Sequence, residues 1–160
     1  MRPDHNPCPG VGPAENGSAM TVLVEFHKFW VSGRPAPQGS KRHVGGGRMV
    51  EMSAAVGPWR EAVRGEAQRL VTAPIEGPVA VSLEFCLLKP KSVRRSAPCV
   101  RPDLDKLIRA VLDGLTMAGM FGDDAQVTEI TASKSYATIN GAWITVCAPA
   151  LANAQEGITT

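Results

Sequence analysis

The sequence predicts a domain of the α+β class: a compact single domain of mixed β-sheet packed with two helices, in the order β-α-β-α-β-β. Three observations predict it. The stretch VAVSLEFCLL at residues 79–88 alternates apolar and polar side chains with the period of a half-buried strand. Residues 103–118 place Leu104, Leu107, Ile108, Val111, Leu112 and Leu115 on one stripe at helical spacing. Two β-rich runs near the C-terminus are separated by Asn140-Gly141, a strong turn signal. A chain of 160 residues is about one domain long and can bury a real core.

The elements follow in order. Residues 1–19 are dense in Pro, Gly and Asn and read as a disordered tail, with Met20 a candidate natural start. Residues 21–31 mix β-branched and aromatic side chains and predict the first strand. Residues 33–49 carry prolines and glycines that predict an irregular loop. Ser53 is a candidate cap for a helix over 53–71, with Trp59, Val63 and Ala67 on one face and Pro74 beyond its end. The strand at 79–88 leads to a Pro- and Arg-rich loop over 89–102. The second helix runs over 103–118 and stops at Gly119. Strands at 126–136 and 142–148 are expected to form a hairpin across Asn140-Gly141. The chain divides into a tail (1–19), a folded domain (20–150) and a polar C-terminal tail (151–160).

A net charge of +2 says little, but its distribution is informative. Lys28, Arg34, Lys41, Arg42 and Arg48 form one run without an acid, and Lys89, Lys91, Arg94, Arg95 and Arg101 form another. Acids collect instead between residues 103 and 124. Basic arms around an acidic centre suit a phosphate backbone held over a metal. Cys8, Cys86, Cys99 and Cys147 contain no C-x-x-C and have no histidine at zinc-ligand spacing. They read as reduced, with Cys86 and Cys147 as core positions, consistent with a cytoplasmic protein. No apolar stretch approaches a membrane span, and no signal peptide is evident. Trp59 and Trp143 read as packing residues; Trp30 is either buried or a stacking surface for an unpaired base.

The acids come as two pairs. Asp103 and Asp105 open the second helix, where carboxylates also cap free N–H groups and meet the positive dipole end. Asp123 and Asp124 also fit a turn before a strand. Together they suggest a site for a hard divalent cation such as Mg²⁺, which takes one or two carboxylates with water and substrate phosphate. The helix between the pairs spans roughly 20 Å at 1.5 Å per residue, so uniting them calls for a second subunit or for helix packing. Asp105, Arg109 and Asp113 lie at i, i+4 and i+8 on one polar edge of that helix.

The run RPDLDKLIRAVLDGL, then GMFGDDAQV, then Lys134, resembles the RusA-type Holliday junction resolvases, which are common in phages and prophages. The resemblance covers residues 101–134, and Gly33-Arg34-Pro35 with Gln38-Gly39-Ser40-Lys41 extends it more loosely. It implies a RusA-like, homodimeric fold and an Mg²⁺-dependent endodeoxyribonuclease, with Mn²⁺ able to substitute, that nicks four-way DNA junctions symmetrically. Asp103, Asp105 and Asp124 match the family's catalytic, metal-binding aspartates, and Asp123 is the adjacent acid. Lys106 stands where the family has Asn, and Arg109 where it has Lys. Arginine keeps the charge and can clamp a phosphate, but it cannot act as a general base. On this resemblance Arg109, Lys106 and Lys134 neutralise phosphoryl charge, while Arg34, Lys41, Arg42, Arg94, Arg95 and Arg101 grip the DNA arms. A broader fork or flap nuclease, and a junction-binding protein with weakened catalysis, are the alternatives.

Overall fold

The computed structural model describes residues 26–39, 41–43, 49–51 and 54–148. Expectations for the two tails, Met20, residues 21–25 of the first strand, Arg48, Ser53 and Cys8 lie outside the described residues. Strand β1 (Phe26–Ser32) is followed by β2 (Lys41–His43), β3 (Met49–Glu51), helix α1 (Val56–Gln68), β4 (Val79–Leu88) and α2 (Leu104–Met117). A short 3₁₀ turn (Asp124–Gln126) then leads into β5 (Val127–Ala137) and β6 (Gly141–Cys147).

The main sheet has the order β1-β6-β4-β5. β6 pairs antiparallel with both β1 and β4, whereas β5 pairs parallel with β4, so the sheet is mixed as expected. A parallel neighbour requires a crossover, and α2 supplies it. Alternation sends Val79, Val81, Leu83 and Phe85 of β4 to one face, in line with Ile144 and Val146 of β6 and Phe29 and Val31 of β1. Val56, Trp59, Val63 and Ala67 of α1 and Leu107, Val111 and Leu115 of α2 join them in one buried cluster. The predicted apolar stripes therefore face the core, with Leu104 and Ile108 partly buried at its margin.

The two helices approach closely at Gly114, where an added Cβ would lie 2.8 Å from Val63 Cγ1. Across the same contact Arg60 of α1 pairs with Asp113 of α2 at 2.7 Å. The polar edge predicted for Asp105, Arg109 and Asp113 is thus divided: Asp113 holds the helix pair, and Arg109 stays exposed. Gly119, with φ +76°, ends α2. Met120 N–H reaches Leu115 O and Gly119 N–H reaches Thr116 O, the pair of bonds that closes a helix through a left-handed glycine.

Four expectations require correction. β5 and β6 do not form a hairpin, because β4 lies between them. The link at 138–140 instead steps over the end of β4: Asn140 Oδ1 accepts from Leu88 N–H at 2.8 Å, and Asn140 O accepts from Gly33 N–H. A two-residue Asn-Gly turn needs positive φ, and the left-handed glycines among the described residues are Gly33, Gly77 and Gly119. Gly141 is required for another reason, since a Cβ there would collide with the Trp30 ring.

The 33–49 segment is not wholly irregular, because Lys41–His43 and Met49–Glu51 pair antiparallel as a separate ribbon. Its prolines and glycines flank these short arms rather than interrupting them. Helix α1 is shorter than expected, and Ala55 precedes it without a side-chain cap. Finally, Cys86 and Cys147 are half-buried on the face away from the helices, where their strand register puts them, and not in the core. Trp143 shares that face, packed against Trp30 with ring centroids 5.4 Å apart.

Candidate active site and nucleic-acid interface

The head of α2 is fixed by long-range contacts. Lys134 of β5 sits beside Phe85 in the parallel register and therefore on the helix side of the sheet. Its ammonium donates to Val100 O at 2.8 Å and to Pro102 O at 2.7 Å. These carbonyls belong to the last residues before α2, where the Arg101–Pro102 peptide is cis. From the other side, Gln38 N–H donates to Lys106 O, docking the 33–39 segment on the first turn of the helix. Asp103 is therefore held by its neighbours on both sides.

Asp103 takes the N-cap position with extended backbone (φ −71°, ψ 136°), yet its side chain caps no N–H. The expected structural use of this carboxylate is not made. Its Oδ2 instead lies 3.3 Å from Lys106 Nζ, in a pair where both side chains are more than two-fifths exposed. Such pairs contribute about 0–1 kcal/mol, so a phosphate or cation can displace either partner at little cost. Asp105 is exposed in the first turn, and Arg109 follows one turn later on the same edge.

The second acid pair divides its roles. Asp123 Oδ1 accepts from Ala125 N–H at 2.7 Å, capping the 3₁₀ turn. Gln126 Oε1 accepts from the N–H groups of Gly122 and Asp123, completing a capping box. The Gln126 amide also donates to Ile75 O and Gly77 O, tying this turn to the segment before β4. Asp123 is thus structural, while Asp124 is exposed and its carboxylate makes no hydrogen bond or ion pair among the described residues. The role of Gln126 escaped the sequence reading, although the D-x-x-Q spacing signals it.

One chain does not bring the two acid pairs together. Asp124 lies where β5 begins, near the C-terminal end of α2; Asp103 and Asp105 open α2, just after the Pro102 carbonyl that Lys134 holds near the other end of β5. The 14 residues of α2 put roughly 20 Å between them. Among the described residues, no three His, Cys, Asp or Glu side chains gather closely enough to hold a metal.

The predicted cations surround the head of α2 unevenly. Arg34, Arg95 and Arg101 line a cleft of about 750 Å³ that ends at Pro102, immediately before Asp103. Arg94 is exposed outside the cleft lining, and Lys41 and Arg42 fall on β2. Among the described residues no carboxylate pairs with Arg34, Arg94, Arg95 or Arg101. Tyr136, the only tyrosine of the chain, lines the same cleft and accepts a hydrogen bond from Arg95 Nε at 2.9 Å. The sequence reading missed Tyr136, although it follows Lys134 by two on one strand and therefore shares its face.

Two carboxylates at a helix head, beside a cleft whose arginines have no acidic partner among the described residues, are the groups that chemistry on phosphate esters calls for. The family model of the endodeoxyribonuclease RusA matches residues 32–147. That span is well over half of the chain, which therefore belongs to the RusA endodeoxyribonuclease family. No curated protein matches the chain significantly.

Proposed function

We propose that this protein is an Mg²⁺-dependent, structure-specific endodeoxyribonuclease that resolves four-way DNA junctions by paired symmetric nicks, acting as a homodimer in recombination and repair in the cytoplasm. The observation that carries the proposal is the head of α2. Asp103 and Asp105 are free of any capping duty there, on a backbone pinned by Lys134, beside arginines without acidic partners among the described residues.

The donor set fits the cation. Asp103, Asp105 and Asp124 offer hard, exposed carboxylate oxygens, and Mg²⁺ prefers a few such ligands with water and phosphate completing the shell. Held by these residues, Mg²⁺ or Mn²⁺ supplies Lewis-acid activation of the phosphate and of the attacking water. The protein's own residues do the rest. Lys106 exchanges its weak pair with Asp103 for a phosphoryl oxygen, and Arg109 adds a second positive charge on the same edge. A guanidinium cannot act as a general base, so Arg109 acts as an electrostatic stabiliser.

The separation of the acids supports a homodimer. β5 is a sheet edge of 11 residues, and no described strand pairs with its outer side. An open edge of that length is a template for a second chain. Antiparallel pairing of two β5 strands about a two-fold axis carries Asp124 of each chain toward the Lys134 end of the other. Two complete sites related by symmetry then face two strands of a four-way junction.

The test is nicking of an end-labelled synthetic four-way junction, with and without Mg²⁺, beside three-way and linear DNA. Paired nicks confined to the four-way junction, lost in Asp124→Asn while junction binding persists, are expected. Equal cutting of forks and flaps would favour the broader nuclease, and equal cutting by the variant would overturn the site.

A further inference from the structure

The cleft beside the head of α2 has more structure than a phosphate track needs. Its walls include Pro35, Ala36, Leu87, Pro98 and Val100, of which Pro35, Ala36 and Pro98 are buried. A surface that merely follows a DNA backbone requires cations, not apolar walls. A volume of about 750 Å³ lies within the roughly 300–1,000 Å³ of sites that enclose a small organic group.

The polar side chains that converge on this cavity, among the described residues, can donate. Arg34, Arg95 and Arg101 can only donate. Tyr136 receives Arg95 Nε–H on its oxygen, which leaves its own hydrogen to give. The Asn140 carbonyl is committed to Leu88 N–H, which leaves its amino group to donate. No acid lines the cavity among the described residues. An occupant must therefore combine negative charge, a flat apolar body and acceptor oxygens.

We propose that this cavity receives one unstacked nucleotide of the DNA strand being cut. Its phosphate meets Arg34, Arg95 and Arg101, and its base lies against the apolar wall with Tyr136 and Asn140 at its edge. The inference rests on the nuclease reading above. Its position supports it, because Arg101 and Pro102 line the cavity and Asp103 follows directly, placing the nucleotide next to the reacting phosphate. A base inside a duplex cannot enter such a cavity, but one at a branch point is cheaper to unstack. The donating side chains also imply a preference. Adenine, which has no exocyclic oxygen, is the least suited of the four bases.

The experiment is an abasic scan. Four-way junctions with a single tetrahydrofuran residue at successive positions around the nick are titrated by fluorescence anisotropy in EDTA. The proteins compared are wild type, Arg95→Gln and Ala55→Trp; Ala55 is exposed and lines the cavity, so the indole blocks it without disturbing the core. Wild type is expected to lose roughly 5- to 100-fold in affinity at one position, from withdrawing one base from water against the apolar wall. At that position adenine binds more weakly than thymine. Both variants bind the intact junction more weakly and show a flat scan. Tight wild-type binding with a flat scan would overturn the pocket and leave the nuclease reading standing. A penalty that persists unchanged in both variants would do the same. Failure of wild type to bind any junction would remove both.

Discussion

Lys134→Met separates positioning from simple charge. In the structure the ammonium spends two of its three N–H donors on Val100 O (2.8 Å) and Pro102 O (2.7 Å). A desolvated hydrogen bond from a charged donor is worth about 1.5–3 kcal/mol. Lys134 is only half-buried and Val100 is exposed, so water replaces part of the loss. The net cost to stability is about 1–2 kcal/mol, or a melting point lower by a few degrees for a domain of this size. The cost to catalysis is larger. Freed from β5, the 100–102 segment lets Asp103 shift, and a displacement of about 1 Å at a reacting group can cost on the order of 10²-fold in rate. Single-turnover nicking should therefore fall about 100-fold, while junction affinity changes by less than about tenfold. If Lys134 acted instead as a phosphate contact, the salt dependence of binding would lose about one unit of slope and the saturated rate would hold. That second pattern would refute the reasoning.

Three further predictions are independent of the first. Mixing Asp103→Asn chains with Asp124→Asn chains should restore nicking at roughly a quarter of sites, by random assortment of subunits in a dimer that shares its acids; no recovery would show that each site is built within one chain. Gly114→Ala should lower stability by about 1 kcal/mol in urea melts, because overpacking of about 1–3 kcal/mol outweighs the better helix propensity of alanine; its Cβ would press on Val63 Cγ1 and Cβ at 2.8 and 2.9 Å, and adding Val63→Ala should recover part of the loss. In a Cys8→Ser background, thiol titration at pH 8 should modify exposed Cys99 first and Cys86 slowly, since burial and the nearby Glu84 hold the Cys86 thiol above its ordinary pKa and keep it protonated.

What was legible in the sequence is what is local. The α2 stripe and the β4 alternation were readable because a helix or a strand repeats its burial every few residues, and both reappear in the core. The left-handed stop at Gly119 was readable for the same reason. Pairing partners were not. Asn140-Gly141 predicts a hairpin from two residues, but β6 pairs with β1 and β4 and not with β5, which carries the chain across the end of β4. Lys134 shows the same limit at the site. Its two acceptors lie 34 and 32 residues away, so the sequence could show a positive charge and not its engagement.

The acids follow the same logic, and it bears on assembly. From Asp105 to Asp124 the chain runs through one helix and one tight turn, and such a unit necessarily leaves its two ends a helix length apart. The parallel pairing of β4 with β5 returns the chain to the head of α2 only at Lys134, ten residues after Asp124. The fold therefore brings a lysine back to Asp103, where a metal site would need the second carboxylate pair. A strand antiparallel to β5 reverses that order and brings the acid. Among the described residues no strand covers the outer edge of β5, so if the proposed dimer pairs there, dimerisation and catalysis should fail together when this edge is blocked.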